Sequence, residues 1–81
     1  MQSTLKRQRY PMPDFIRDAL NESGLMAAYG QRPPYQQNDY IGWITRAKKD
    51  VTIQKRLRQM LDELALGNKY MNMDYRSQQR K

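Results

Sequence analysis

The sequence predicts an all-α fold: a small helical bundle of three principal helices plus a short helix, with disordered basic tails. Two observations carry that prediction. Between Asn38 and Tyr75, two amphipathic helical patterns meet at one short polar joint. Pro and Gly fall between the apolar runs, at Pro11 and Pro13, Gly24, Gly30, Pro33-Pro34 and Gly67, where they delimit helices rather than interrupt them. A chain of 81 residues allows one domain, and a domain of that size buries only about 60% of its unfolded surface. The organisation read from it is an N-terminal basic tail over residues 1–10, a helical domain over 11–75 and a C-terminal basic tail over 76–81.

The first helix is expected over Pro13–Asn21, after the stiff lead-in Tyr10-Pro11-Met12-Pro13, because each proline disfavours helical geometry in the residue before it. Pro13 suits a first turn, and Asp14 there favours the positive end of the helix dipole. Phe15, Ile16, Ala19 and Leu20 form its apolar face. Ser23-Gly24 ends it, and Leu25–Tyr29 makes the short helix, closed by Gly30. Arg32-Pro33-Pro34 is a rigid break. The third helix runs over Tyr35–Lys48, with Tyr40, Ile41, Trp43, Ile44 and Ala47 giving the stripe of a buried face. Gly42 inside it costs up to ~1 kcal/mol relative to alanine, which a close helix crossing would explain. Lys48-Lys49-Asp50 is the joint, where Asp50 or Thr52 can cap the next helix. The fourth helix spans Val51–Leu66, with Ile53, Leu57, Met60, Leu61 and Leu64 on one face and Gly67-Asn68 as its stop. Tyr70–Tyr75 is too apolar for a free tail and is expected to lie extended across the bundle. Met60 reads as core, with Met71 and Met73 open between packing and an adaptable surface.

Composition excludes several function classes. There is no cysteine, so no disulfide or thiolate site, and no histidine, which removes Ser-His-Asp and Cys-His catalysis and the commonest transition-metal ligand. No cofactor or metal site is expected. Asp62-Glu63 and Asp14/Asp18 are the remaining carboxylate pairs, and no burial that would tune them can be argued from sequence. A non-enzyme is expected. No secretory h-region or membrane span is seen, so the cytoplasm is the expected location. The formal charge is +7, but six of the 15 basic residues lie in residues 1–10 and 76–81, which contain no acid. The nine that remain face all eight acids, a net of +1 over the body.

Six cations crowd the joint between the third and fourth helices: Arg46, Lys48, Lys49, Lys55, Arg56 and Arg58. Of these, Lys48, Lys49, Lys55 and Arg56 are the candidate site for an anion or partner, because a helix N-terminus adds free N–H groups of Val51 to Ile53 and positive potential. The alternative is a solvated polar face with Arg56 paired to Asp39 or Asp62. Trp43, the only tryptophan, reads as a core anchor, with an exposed aromatic contact for a partner as the alternative.

Tyr40-Ile41-Gly42-Trp43-Ile44, Ala47-Lys48, Thr52 with Lys55-Arg56-Leu57 and the Leu61–Gly67 helix end resemble the YdeI/OmpD-associated family, a bacterial group linked to bacteriocin protection and resistance to cationic antimicrobial peptides. Pro13-Asp14-Phe15-Ile16 and Pro33-Pro34-Tyr35 fit a short, single-module branch, and the resemblance covers about three-quarters of the chain, Pro13 to Tyr75. Val51 and Ile53 stand where the family usually has an acid and an arginine, so no anion-binding role of that arginine carries over to Ile53. The resemblance implies an all-helical module, linked to envelope stress or antimicrobial-peptide tolerance, and supplies no catalytic site. Its partner would be another protein or an anionic envelope component. The alternative function is a nucleic-acid-binding protein using the basic cluster, with mostly phosphate contacts.

Overall fold

A computed structural model describes residues 10–74, so of the expected tails over 1–10 and 76–81 all but Tyr10 lies outside the described residues, and Tyr10 packs against the core rather than belonging to a tail. Four helices are present, α1 (Asp14–Ser23), α2 (Met26–Gln31), α3 (Pro34–Arg46) and α4 (Asp50–Leu66), followed by the strands β1 (Lys69–Tyr70) and β2 (Met73–Asp74). Among the described residues the all-α class holds, with a small β-hairpin added to it.

Local chemistry explains the boundaries. The Pro13 carbonyl accepts from the N–H groups of Ile16 and Arg17 and so opens α1. Gly24, at φ +75°, closes it; the Leu25 N–H returns 2.9 Å to the Leu20 carbonyl, the six-to-one bond of a Schellman stop. Gly30 does not close α2: it lies inside the helix, which runs on to Gln31 and ends at the extended Arg32 before the proline pair. Pro34 occupies the first turn of α3, where its missing N–H costs nothing. That helix ends two residues earlier than expected, because Ala47 is extended at φ −67°, ψ 142°. Neither Asp50 nor Thr52 caps α4: Lys49 holds the cap position, with no side-chain bond, and its carbonyl accepts from Thr52 and Ile53 at 3.0 Å each. Gly67, at φ +84°, stops α4 as expected.

The core collects one stripe from each helix. It comprises Ile16 and Leu20 of α1, Tyr29 of α2, Tyr40, Ile41 and Ile44 of α3, and Leu57, Met60 and Leu64 of α4. α4 is the central element and packs against α1, α2, α3 and β1. Phe15 departs from the expected α1 face and is 40% exposed, while Ile16 and Leu20 are buried and Ala19 packs against the core beside them. Trp43 is half-buried and packs against the edge of the core, whose deepest α3 residues are Tyr40, Ile41 and Ile44. Gly42 meets an aromatic ring rather than a helix: a Cβ there would lie 2.7 Å from Cε2 of Tyr10. The lead-in is also pinned by the Tyr10 N–H, which donates to Asn38 Oδ1 at 2.9 Å.

The segment after Gly67 does not lie extended across the bundle. It folds back on itself, pairing Lys69 with Asp74 and Tyr70 with Met73. Met71 and Asn72 make the two-residue turn, both at positive φ (52° and 66°). That geometry matches the right-handed twist of a hairpin but is unfavourable for a methionine. Tyr70 anchors the hairpin edge-on against the rings of Tyr35 and Tyr40, at centroid distances of 6.1 and 5.4 Å, and its hydroxyl donates to Asp39 Oδ2 at 2.7 Å.

Candidate functional site

The four cations expected to form one site are divided between surfaces. Lys48 and Lys49 are exposed in the linker between α3 and α4. Arg56 turns inward: its Nη1 donates to the Trp43 carbonyl at 2.6 Å, and its guanidinium sits 5.3 Å from the centroid of the Trp43 ring. It pairs with neither Asp39 nor Asp62 and closes the joint as a structural brace. Lys55, the next residue back on α4, faces away, toward a groove between α4 and the hairpin. Two of the three N–H groups expected to be free at the start of α4, those of Thr52 and Ile53, already bond to the Lys49 carbonyl. Asp50 adds a negative charge in the same first turn.

The most organised polar chemistry lies elsewhere, around Glu63, Tyr40 and Arg32. Glu63 is 4% exposed on the inner face of α4. Its Oε1 accepts from the Tyr40 hydroxyl at 2.5 Å and the Met71 N–H at 2.8 Å; its Oε2 accepts from the Asn72 N–H at 2.7 Å and Gln59 Nε2 at 3.1 Å. One carboxylate therefore clamps both strained turn residues. Burial alone would raise the Glu63 carboxyl, but the bonds from Tyr40, Asn72, Met71 and Gln59 outweigh it and hold it below the usual carboxylate range. The same site pushes the Tyr40 hydroxyl far above its ordinary value, through burial and then the Glu63 bond, so it stays a donor. Arg32, 6% exposed, donates to Gln36 Oε1 at 3.0 Å and to the carbonyls of Glu63 and Lys69 at 3.1 and 2.8 Å. It joins the turn before α3, the end of α4 and the start of the hairpin.

Of the carboxylate pairs, Asp14 and Asp18 are exposed and both bond to Arg17, at 3.1 and 3.2 Å. Asp62 is exposed while Glu63 is buried, so of the two adjacent acids one meets solvent and the other lies within the packing. The burial of Glu63, which sequence reasoning missed, has one trace in the sequence: it follows Met60 by three residues and so falls on the apolar face of α4.

The groove has a volume of about 390 Å³. Lys55, Arg58, Asp62 and Leu66 form its α4 wall, with Lys69 and Asn72 on the hairpin side. Gln59 and Glu63 form the floor. Among the described residues, no group of three or more His, Cys, Asp or Glu is placed to hold a metal ion, and no helix is long and apolar enough to cross a membrane.

No curated protein and no solved structure matches the chain. One family model does match, over residues 9–67, and it is described as OmdA: bacteriocin-protection, YdeI or OmpD-associated. The match takes in Tyr10, the α3 stripe, the joint and Glu63, and it ends at Gly67, so the hairpin clamped by Glu63 lies beyond it. With that stretch of helices accounted for, the chain belongs to the YdeI/OmpD-associated, bacteriocin-protection family.

Proposed function

We propose that this protein is a small non-enzymatic interaction module. It acts by binding another protein or an anionic envelope component, and its cellular role is tolerance of bacteriocins and cationic antimicrobial peptides. One observation carries the non-enzymatic part. The two buried charged side chains among the described residues, Arg32 and Glu63, are engaged in fastening the hairpin to the helices. A group saturated with structural hydrogen bonds, and held ionised well below neutral pH, is poorly suited to general acid–base work. The outward chemistry is then left to exposed residues such as Lys48, Lys49, Lys55 and Arg58. The link to bacteriocin protection rests on the family description.

The test is capture from native lysate by the full chain at low and moderate salt. The proposal expects a discrete protein or glycolipid that is retained at moderate salt. The competing function, nucleic-acid binding through Lys48 and Lys49 at the joint, expects captured nucleic acid that is lost steeply as salt rises. Capture of nucleic acid alone would replace the proposal with that reading.

A further inference from the structure

We propose that the groove between α4 and the hairpin docks an extended peptide segment of a partner protein. That segment carries a carboxylate side chain and, about four residues along, an apolar one. The proposal rests on the interaction-module reading and names the class of partner.

Three features of the groove point to this ligand. First, Lys55 and Arg58 stand one helical turn apart on the α4 wall, and neither forms an ion pair among the described residues. Like charges at that spacing repel, and a carboxylate between them relieves the repulsion. Second, Leu66 lies at the far end of the same wall and is 66% exposed, an apolar contact with nothing packed over it. Third, Asp62 sits between them, exposed on the same face. The floor adds no competing charge-acceptor, because both oxygens of Glu63 are already filled by four donors. On the opposite side Lys69 is held by Asp74 at 2.6 Å, leaving the Asn72 side chain to offer both a donor and an acceptor.

The order of these groups along α4 sets a pattern. Arg58 and Leu66 are eight residues apart, so at 1.5 Å per residue they are separated by about 12 Å. An extended peptide rising about 3.3 Å per residue covers that distance in about four residues. Asp62, midway, repels a second acid and favours a lysine or a neutral residue there. The matching segment therefore reads acid, then a basic or neutral middle, then Leu or Met. The same Asp62 argues against a nucleic acid, whose regular phosphates would place one charge against it. The volume of about 390 Å³ falls within the ~300–1,000 Å³ of ordinary ligand clefts, which suits a few residues rather than a whole domain.

The test is an amide-shift titration of the full chain at low salt with the capped peptide Glu-Ala-Lys-Ala-Leu. Two control peptides carry Lys in place of Glu or Ser in place of Leu, and a short oligothymidylate serves as the polyanion. The expected result is saturable shifts confined to Lys55–Leu66 and Lys69–Asn72, weakened about fivefold or more in Lys55→Ala/Arg58→Ala and with either control peptide. Leu66→Ser, a substitution at an exposed site, provides a second variant should the double change alter folding. Equal binding of the Lys-for-Glu peptide, equal binding of oligothymidylate at the same residues, or no shift at about 5 mM peptide overturns the proposal. If instead the full chain captures the same partner with and without Lys55→Ala/Arg58→Ala, the groove assignment fails while the interaction-module reading stands.

Discussion

Replacing Glu63 by glutamine tests the clamp at the centre of this fold. The side chain keeps its shape, but one oxygen becomes an NH₂ group that faces donors. Whichever way the amide turns, either Tyr40 Oη and the Met71 N–H or Gln59 Nε2 and the Asn72 N–H lose their acceptor. Bonds to a charged acceptor contribute ~1.5–3 kcal/mol each, and the exposed side of the turn recovers part of that from water. The net cost is then ~2–4 kcal/mol, against a total of ~4–12 kcal/mol for a domain of this length. At roughly 4–8 °C per kcal/mol, the melting temperature should fall by about 10–30 °C. Thermal unfolding followed by circular dichroism measures it. Pairing the change with Tyr40→Phe in a double-mutant cycle should give a coupling of ~1 kcal/mol or more. A drop under about 4 °C, or additive effects, would refute the claim that Glu63 fastens the hairpin. Acid gives an independent reading of the same bonds. Because the folded Glu63 carboxyl lies below its ordinary value of 4.5, its contribution is complete above that pH and is lost as pH falls through the folded value. Glu63→Gln should flatten the stability profile over that acid range.

Three further outcomes follow from the packing. Gly42→Ala should destabilise the wild type by ~1 kcal/mol, as ~1–3 of overpacking against Tyr10 exceeds ~1 of gained helix propensity; in a Tyr10→Ala background the same change should instead stabilise, and chemical denaturation reads both signs. Trp43→Ala should cost ~2–3 kcal/mol, less than a fully buried tryptophan, as it removes half-buried apolar area and the Arg56 contact; urea midpoints check it. Gly67→Ala should cost ~1–2 kcal/mol, because α4 ends there at φ +84°, and a thermal melt would show it.

What could be read ahead of the structure follows from how locally each feature is encoded. Leu57, Met60 and Leu64, like Tyr40, Ile41 and Ile44, repeat at the helical period, so their burial is visible in any window of α4 or α3. Gly24 and Gly67 announce stops because each ends an apolar run. Gly30 misleads, since the proline pair three residues on lets the helix continue past it. The hairpin has almost no signature. Its strands are two residues long, and its turn is Met71-Asn72 rather than a glycine turn, made tenable by a carboxylate eight residues upstream. The site residues split the same way. That Lys48, Lys49, Lys55 and Arg56 are close in sequence is plain, but which side of α4 each takes depends on Trp43 and on the hairpin. Arg32 reads only as part of a break; its carbonyl partners, Glu63 and Lys69, lie 31 and 37 residues away.

Buried charge in this protein holds the fold, and we propose that exposed charge meets the partner. The most direct test is survival of a bacterial strain lacking the protein, challenged with a cationic antimicrobial peptide and complemented by variants confirmed as folded at the growth temperature. Tyr40→Phe removes a donor from Glu63 and would alter any chemistry performed by that carboxylate, yet it leaves the surface untouched. Lys48→Ala/Lys49→Ala/Lys55→Ala/Arg58→Ala does the reverse. Tyr40→Phe should restore survival and the surface variant should not. Loss of protection in folded Tyr40→Phe, with protection kept by the surface variant, would contradict that proposal.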